Sequence, residues 1–309
     1  MWDFEVDLVS VGAGAGGLAG AIATVDAGGR VLIADPAPQR GEGAPGLATR
    51  RRVHSTRGWL QEGATDCKTD EFLASLAECL PGPVYLNRDV PVPTRVATAR
   101  HDDSVVEPFM GARLTEWAGQ CLSTPYGVLF SGLFGWDGES MRSTDGDTIE
   151  VVPIGTLDWR QGMGEPALLD WMLDLARERE IEMLAETGME RLVFEGGRVA
   201  GVVLSTAGGP IAVRARQGVT IAPVEHDVPA SGVAPVRGEP RQVCLVGHAA
   251  SRFARVELLS GASAEAASRP MCRRPMGVEA FLAGLHESRQ SFSRLWSHGK
   301  VHRHPPTGQ

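Results

Sequence analysis

Three stretches near the N-terminus constrain the fold of this 309-residue chain more than any other: an apolar run, the glycine-rich segment after it, and an acid that closes the next apolar run. Val6 to Val11 is mostly apolar and β-branched, as expected of a central parallel strand covered on both faces. The run breaks at Gly12, where Gly-Ala-Gly-Ala-Gly-Gly supplies Gly-x-Gly-x-x-Gly at Gly12, Gly14 and Gly17. Leu18 to Ala23 then reads as a helix of small residues. In such a loop Gly12 permits the tight turn, Gly14 lets a pyrophosphate approach the backbone, and Gly17 lets helix and strand pack closely. Ala13, Ala15 and Gly16 complete the loop, whose free N–H groups and positive dipole end favour phosphate, each charge interaction contributing about 0.3–1 kcal/mol. After Gly28-Gly29, a second apolar strand, Arg30 to Ala34, ends in Asp35 and Pro36. Asp35 stands about twenty residues beyond the loop, where a carboxylate accepts hydrogen bonds from ribose hydroxyls and repels a 2′-phosphate. The segment from Asp7 to Asp35 is therefore expected to be a dinucleotide-binding βαβ unit.

A second patterned region follows in the C-terminal half. Leu168, Leu169, Met172, Leu173 and Ala176 have helical spacing and predict a helix that covers the sheet. Arg191–Glu195 and Arg198–Leu204 flank Gly196-Gly197 as a hairpin, Ser205–Pro210 turns into a third strand near Ile211–Ala215, and Val219–Ala222 returns to the parallel sheet. Both regions resemble one family. Asp7–Asp35 is similar to the FAD-binding fingerprint of the fumarate reductase and 3-ketosteroid dehydrogenase flavoproteins. Gly164–Leu173 resembles the start of that family's next helix, and Glu186–Leu192 leading into Val193–Val202 resembles its β crossover. The two segments cover roughly a third of the chain. The resemblance implies FAD as cofactor, backbone at Met189 near the adenine, and the strand end at Ala222 near the nucleotide loop; on the residues alone, both are ordinary sheet positions. The expected fold is α/β: a Rossmann-like FAD-binding domain with a parallel sheet and a three-stranded β crossover, plus a small inserted cap. Four segments follow: 1–81 and 153–262 as the two parts of the FAD-binding domain, 82–152 as a reduced cap or substrate region, and 263–309 as a C-terminal helix and tail.

The chemistry is less legible than the cofactor. The returning strand ends Ala222-Pro223-Val224-Glu225, where the resembled family commonly has Ala-Thr-Gly-Gly, and proline removes a donor and fixes φ. The family's C-terminal glycine-rich flavin segment has no clear counterpart between Gly247 and Gly261. Thr124–Trp136 is apolar and glycine-punctuated and reads as core more than as cavity lining. Only Tyr85 and Tyr126 are available as phenols. Tyr126 is a weak candidate acid that reads first as a buried structural hydroxyl, and His248 reads first as a satisfied loop histidine. No catalytic residue is assigned. The resemblance implies a dehydrogenase or reductase transferring hydride between FAD and an apolar ketone or enone, possibly steroid-like. A degenerate flavoprotein, or an FAD-binding subunit completed by a partner chain, is the second reading, and an NAD-binding regulatory module the third.

A net charge of −8 gives no general attraction to nucleic acid or anionic membrane. The Arg50-Arg51-Arg52 run reads as a solvated loop. Five scattered cysteines without a Cys-x-x-Cys pair, an acidic N-terminus and no bilayer-length apolar run predict reduced thiols, no membrane span and a cytoplasmic location. His298, His302 and His304 read as part of a tail and no metal site is expected. The stripe Phe281, Leu285, Phe292 and Leu295 or Trp296 in Val278–Trp296 suggests a helix that packs on its own domain or on another subunit.

Overall fold

The computed structural model describes residues 1–36, 66–77, 80, 84, 86–87, 90–99, 111–132, 138–159, 165–223, 239–249 and 251–260. The Arg50–Arg52 run, Tyr85, Cys79, Cys272, Val278–Trp296 and the three C-terminal histidines lie outside the described residues.

The first strand, β1 (Phe4–Val11), sends Val6, Val9 and Val11 into one hydrophobic cluster and Leu8 into a second on the opposite face. Burial on both faces from Leu8 to Val11 is why that part of the strand is mostly apolar rather than alternating. Helix α1 (Ala15–Asp26) lies on the Leu8 face, and every residue from Ala15 to Thr24 is buried. Small side chains let the helix sit between the sheet and a neighbouring helix. That neighbour, α4 (Glu165–Glu178), turns Leu168, Leu169, Met172 and Ala176 inward, while Leu173 is only partly buried. Strand β2 (Val31–Ala34) pairs parallel with β1, β7 (Glu182–Leu184) pairs parallel with β2, and β10 (Gly209–Ile221) pairs parallel with the other edge of β1.

Strands β8 (Gly188–Glu195) and β9 (Arg198–Thr206) are antiparallel about Gly196-Gly197, and β9 is in turn antiparallel to β10. The third and returning strands expected separately are one continuous strand. The Gly209–Arg214 part of β10 pairs with β9, and Val213 to Ile221 runs along β1. A register shift opposite Val6–Leu8 and a φ of +130° at Gly218 accommodate the bend. Helix α2 (Cys67–Ala77) packs on β8 through an edge-to-face Phe72–Phe194 contact at 5.6 Å, and Thr69 Oγ1 accepts the Leu192 N–H at 2.9 Å.

The expectation of a parallel sheet holds for β7-β2-β1-β10 and, farther along the sheet, for the pair of β12 (Phe253–Ser260) with β3 (Thr94–Ala99). Next to β10 comes β4 (Gly127–Phe130), antiparallel to it, and beyond β4 lies β12 (Phe253–Ser260), antiparallel to β4. The sheet is therefore mixed. Strands β3 (Thr94–Ala99), β5 (Glu139–Ser143), β6 (Thr148–Trp159) and β11 (Glu239–Gly247) complete a ring: β12 pairs β11, β11 pairs β6, β6 pairs β5, β5 pairs β3, and β3 pairs β12. Short turns join β5 to β6 and β11 to β12, and a short connection can only bring a strand back antiparallel. Helix α1 packs against β12, β11 and β6 on the face that carries Leu258, Val256 and Leu245. A helix about 10 Å wide cannot occupy the inside of five strands, so the opposite face turns inward. That inner face carries Ala97, Met141, Ile149, Val151, Cys244, Val246 and Leu259. Helix α3 (Ala112–Leu122) stands at the end of the ring, its Trp117 Nε1 donating to the Phe253 carbonyl at 2.9 Å.

Candidate functional site

The carboxyl ends of β1, β2 and β10 meet at one edge, where backbone hydrogen bonds hold them level: Gly12 N–H to the Ala34 carbonyl at 2.8 Å and Ala222 N–H to the Val11 carbonyl at 2.9 Å. In open α/β sheets such an edge is where nucleotides bind. Gly12 has a φ of +94°, which a side chain would strain, so the turn out of β1 depends on glycine there. Gly14 is the N-cap of α1 and has no side-chain capping partner, so the N–H groups of the first helical turn are left facing the edge. Ala13 is partly buried, while Ala15, Gly16 and Gly17 pack directly against the sheet. Gly16 lies against the Gly127 backbone of β4, and Gly17 against the Gly12 carbonyl.

Gly14 differs from the expectation. A Cβ built there comes inside 3.0 Å of the Pro223 carbonyl oxygen, so the chain leaving β10 fills the space a side chain would need. Protein backbone accounts for that glycine before any ligand is considered. Pro223, which stands where the resembled family commonly has threonine, is thus a neighbour of the phosphate-type loop.

On the next strand, the Asp35 N–H donates to Leu184 and its carbonyl accepts the Thr187 N–H, at 2.8 and 2.9 Å. The half-buried Asp35 and Pro36 are therefore fixed beside the start of β8, two residues before the buried Met189. The structure brings Gly12–Gly17, Asp35, Pro36, Ala222 and the Met189 segment to one edge of the sheet. At the far end of β1, Asp7 accepts from the Arg30 N–H and from Arg216, both at 2.8 Å. Burial alone would raise the Asp7 pKa, but these bonds bring it below its ordinary value and pin β1, β2 and β10 together.

The two weaker candidates lie elsewhere. Tyr126 is buried and its hydroxyl donates to the Val90 carbonyl at 3.0 Å. His248 is buried at the exit of β11, edge-on to Trp117 at 4.6 Å, with Nδ1 3.2 Å from the Thr148 carbonyl. Burial pulls its pKa down to about 4, so the imidazole is neutral at neutral pH.

A group of charges that the sequence reading did not single out sits on the inner face of the ring. Glu257, with a side chain only 1% exposed, is gripped bidentately by Arg95, through Nε at 2.6 Å and Nη2 at 3.0 Å, and by Arg255 Nε at 2.7 Å. Arg95 also reaches Ser143 at 3.2 Å and the exposed Asp145 at 3.7 Å. Burial would raise the Glu257 pKa, and the two guanidiniums more than offset it, leaving the carboxyl below its ordinary value. Burial pushes the neighbouring Cys121 and Cys244 thiols up, so both stay neutral. The only trace in the sequence is the alternation Arg255-Val256-Glu257 inside an apolar strand; the Arg95 partner is 162 residues away. Leu129 pairs with both Ile221 and Phe253, so β12 begins level with the end of β10. Arg255 and Glu257 therefore lie about 7 and 13 Å beyond the nucleotide edge along the strand direction, on the side of the loop away from Asp35.

Among the described residues no group of His, Cys, Asp and Glu is placed to hold a metal ion, and no helix is long and apolar enough to cross a membrane. Compared with known proteins, residues 95–251, slightly more than half of the chain, match the family model described as the FAD binding domain. No protein of curated function matches in sequence. Among solved structures, the chain is similar to a 3-ketosteroid-Δ4-(5α)-dehydrogenase from Rhodococcus jostii in complex with 4-androstene-3,17-dione, at 18% identity over 71% of this chain and 46% of that one, TM-score 0.29. It is also similar to a geranylgeranyl bacteriochlorophyll reductase-like protein from Thermoplasma acidophilum, at 12% identity over 82% of this chain and 56% of that one, TM-score 0.29. A third similarity is to the open conformation of a flavocytochrome c3 fumarate reductase, at 13% identity over 69% of this chain and 33% of that one, TM-score 0.29. The chain thus spans from a third to just over half of the length of these structures.

Proposed function

The chain belongs to the FAD-binding-domain family of flavoproteins, with FAD as its cofactor, and on that premise we propose that it serves an FAD-dependent oxidoreductase passing hydride between flavin and an apolar ketone or enone, with steroids as one candidate class. One observation carries the reading: the carboxyl ends of β1, β2 and β10, the uncapped start of α1 and Asp35 meet at one sheet edge. The donor set fits a dinucleotide. Gly12, Ala13, Gly14, Ala15, Gly16 and Gly17 would hold the pyrophosphate by backbone N–H groups; Asp35 and Pro36 would flank the ribose, the Met189 segment the adenine, and Ala222 the loop from the β10 side. When bound, FAD supplies the two-electron redox chemistry, and the chain binds, orients and shields it.

In this reading 1–81 and 153–262 form the nucleotide half, and 82–152 faces the substrate. Strand β4 of that middle segment, like β3 and β5, lies inside the sheet, so a cap role falls to the part around α3. The second reading, an FAD-binding subunit completed by a partner chain through 263–309, draws support from Pro223 lying against the loop, at the start of the segment that departs from the Ala-Thr-Gly-Gly of the resembled flavoproteins. Purifying the chain, recording its visible spectrum and identifying the nucleotide released on denaturation tests the common premise. A flavin band with released FAD is expected, and a colourless, nucleotide-free protein overturns both. Anaerobic bleaching of the band by 4-ene-3-ketosteroids or their saturated counterparts, with the chain alone, supports the oxidoreductase; bleaching only after a co-purifying protein is added supports the subunit.

A further inference from the structure

One cross-strand row links the glycine loop to a carboxyl that folding alone does not explain. Leu129 pairs with Ile221, so Val128 stands level with Ala222 at the carboxyl end of β10. From Val128 the row runs through Ala254 of β12 and Gly247 of β11 to Glu150 of β6. Residues opposite one another on antiparallel strands share a face. Ala222, Val128 and Ala254 all belong to the cluster on the α1 side, so Glu150 points to that side as well. The row starts beneath the loop: a Cβ at Gly17 would come within 3.1 Å of the Ala222 Cβ, and one at Gly16 within 2.8 Å of the Val128 Cβ. Neighbouring strands lie about 4.8 Å apart, so Glu150 is about 14 Å along the sheet from Val128, on the side of the loop away from Asp35.

Glu150 is half-buried, between buried Gly247 and exposed Ser140 on the flanking strands. Its Oε2 is enclosed and has no hydrogen-bond partner among the described residues, and burial raises its pKa. Other carboxyls of the sheet are answered: Asp7 by the Arg30 N–H and Arg216, Glu257 by Arg95 and Arg255. Glu182 shares the orphaned oxygen, but it pairs with Leu32 on the opposite face, two residues before the end of β2. A carboxyl with an enclosed, unbonded oxygen costs stability that an apolar side chain at the same position would not. Residues that cost stability in this way are the kind a binding site retains.

In the proposed reading Asp35 flanks the ribose and the Met189 segment the adenine, so the flavin half of the dinucleotide leaves the loop in the other direction, over this row. That half carries ribityl hydroxyls and, at the pyrimidine end of its ring, N–H and C=O groups. Resting on that reading, we infer that Glu150 anchors the flavin half of FAD by a hydrogen bond through Oε2, as Asp35 anchors the adenosine ribose. The two carboxyls then stand on opposite sides of the pyrophosphate loop, one for each half of the ligand.

The test compares FAD with ADP, which shares the adenosine and pyrophosphate but lacks the flavin half, in equilibrium titrations of the full chain freed of nucleotide. Glu150→Met, close in length and without hydrogen-bonding oxygens, is expected to weaken FAD about tenfold and to leave ADP within about twofold. Glu150→Gln keeps a donor and an acceptor and should bind both ligands much as the parent does. Asp35→Ala, by contrast, should weaken both. Urea unfolding should find Glu150→Met at least as stable as the parent, because the carboxyl it removes lacks a partner for Oε2. Equal loss of FAD and ADP, loss of neither, or no rescue by glutamine would each overturn the anchor. A marked drop in stability would overturn it too, since the carboxyl would then serve the fold. A parent chain that binds neither ligand would instead overturn the flavin reading, and the anchor with it.

Discussion

Replacing Gly14 by alanine adds one methyl group at the point where the glycine loop, helix α1 and the exit of β10 converge. Backbone geometry does not oppose the change: φ is −67° and ψ is 169°, a region alanine adopts freely. Two smaller effects oppose one another. Alanine reduces the entropy of the unfolded chain, a gain of about 0.4–1 kcal/mol, and is a poorer helix N-cap than glycine, a loss of similar size. What remains is the clash of the new methyl with the Pro223 carbonyl, inside 3.0 Å, which forces the chain after β10 to move. Overpacking of this kind costs about 1–3 kcal/mol. Urea unfolding followed by far-UV circular dichroism should therefore show Gly14→Ala destabilised by that amount with an unchanged m-value, and FAD content measured on the same preparations should fall as well. Parent-like stability would refute the reasoning. If it came with complete loss of FAD, the space beside Gly14 would belong to the cofactor, as the sequence alone suggested, and Pro223 would not rest there in solution. The larger Gly14→Val is expected to unfold more readily still, rather than only to exclude the nucleotide.

Three further outcomes are expected. Asp35→Ala removes the carboxylate proposed for the ribose while leaving the Leu184 and Thr187 backbone bonds intact, so FAD affinity should fall by about 10- to 100-fold in an equilibrium titration with little change in unfolding free energy; unchanged affinity would remove Asp35 from the site. Glu257→Gln leaves two guanidiniums without their buried counter-charge and should cost about 3 kcal/mol by urea unfolding. Because the folded Glu257 pKa is depressed, its stabilisation is complete above the ordinary value of 4.5 and lost as pH falls below it, so the gap between parent and variant should narrow in acid. Glu182 behaves oppositely: burial raises its pKa to about 7 and Oε1 has no hydrogen-bond partner among the described residues, so the parent loses stability as pH rises from about 4.5 through 7. Glu182→Gln should be more stable than the parent by about 1–2 kcal/mol at pH 8 and indistinguishable near pH 4, and a gap that does not change with pH would refute the assignment.

What the sequence by itself determined about this protein is local. A strand buried on both faces must be apolar throughout, a helix wedged between sheet and helix must be small, and a turn at positive φ needs glycine; these demands fall on adjacent residues and make β1, α1 and β2 readable. The hairpin about Gly196-Gly197 was readable for the same reason, since a tight turn and its flanking strands are contiguous. Only the tertiary structure decided that β4 enters the sheet antiparallel, that five strands close into a ring, and that Pro223 lies against Gly14. Pairing partners there are far apart in the chain, and alternation within a strand says which side chains share a face but not which strand lies alongside. The same distance hid the Arg95–Glu257–Arg255 cluster: Arg255 and Glu257 share a strand, but the second guanidinium, 162 residues away, is brought to within 2.6 Å of the carboxylate only by the fold.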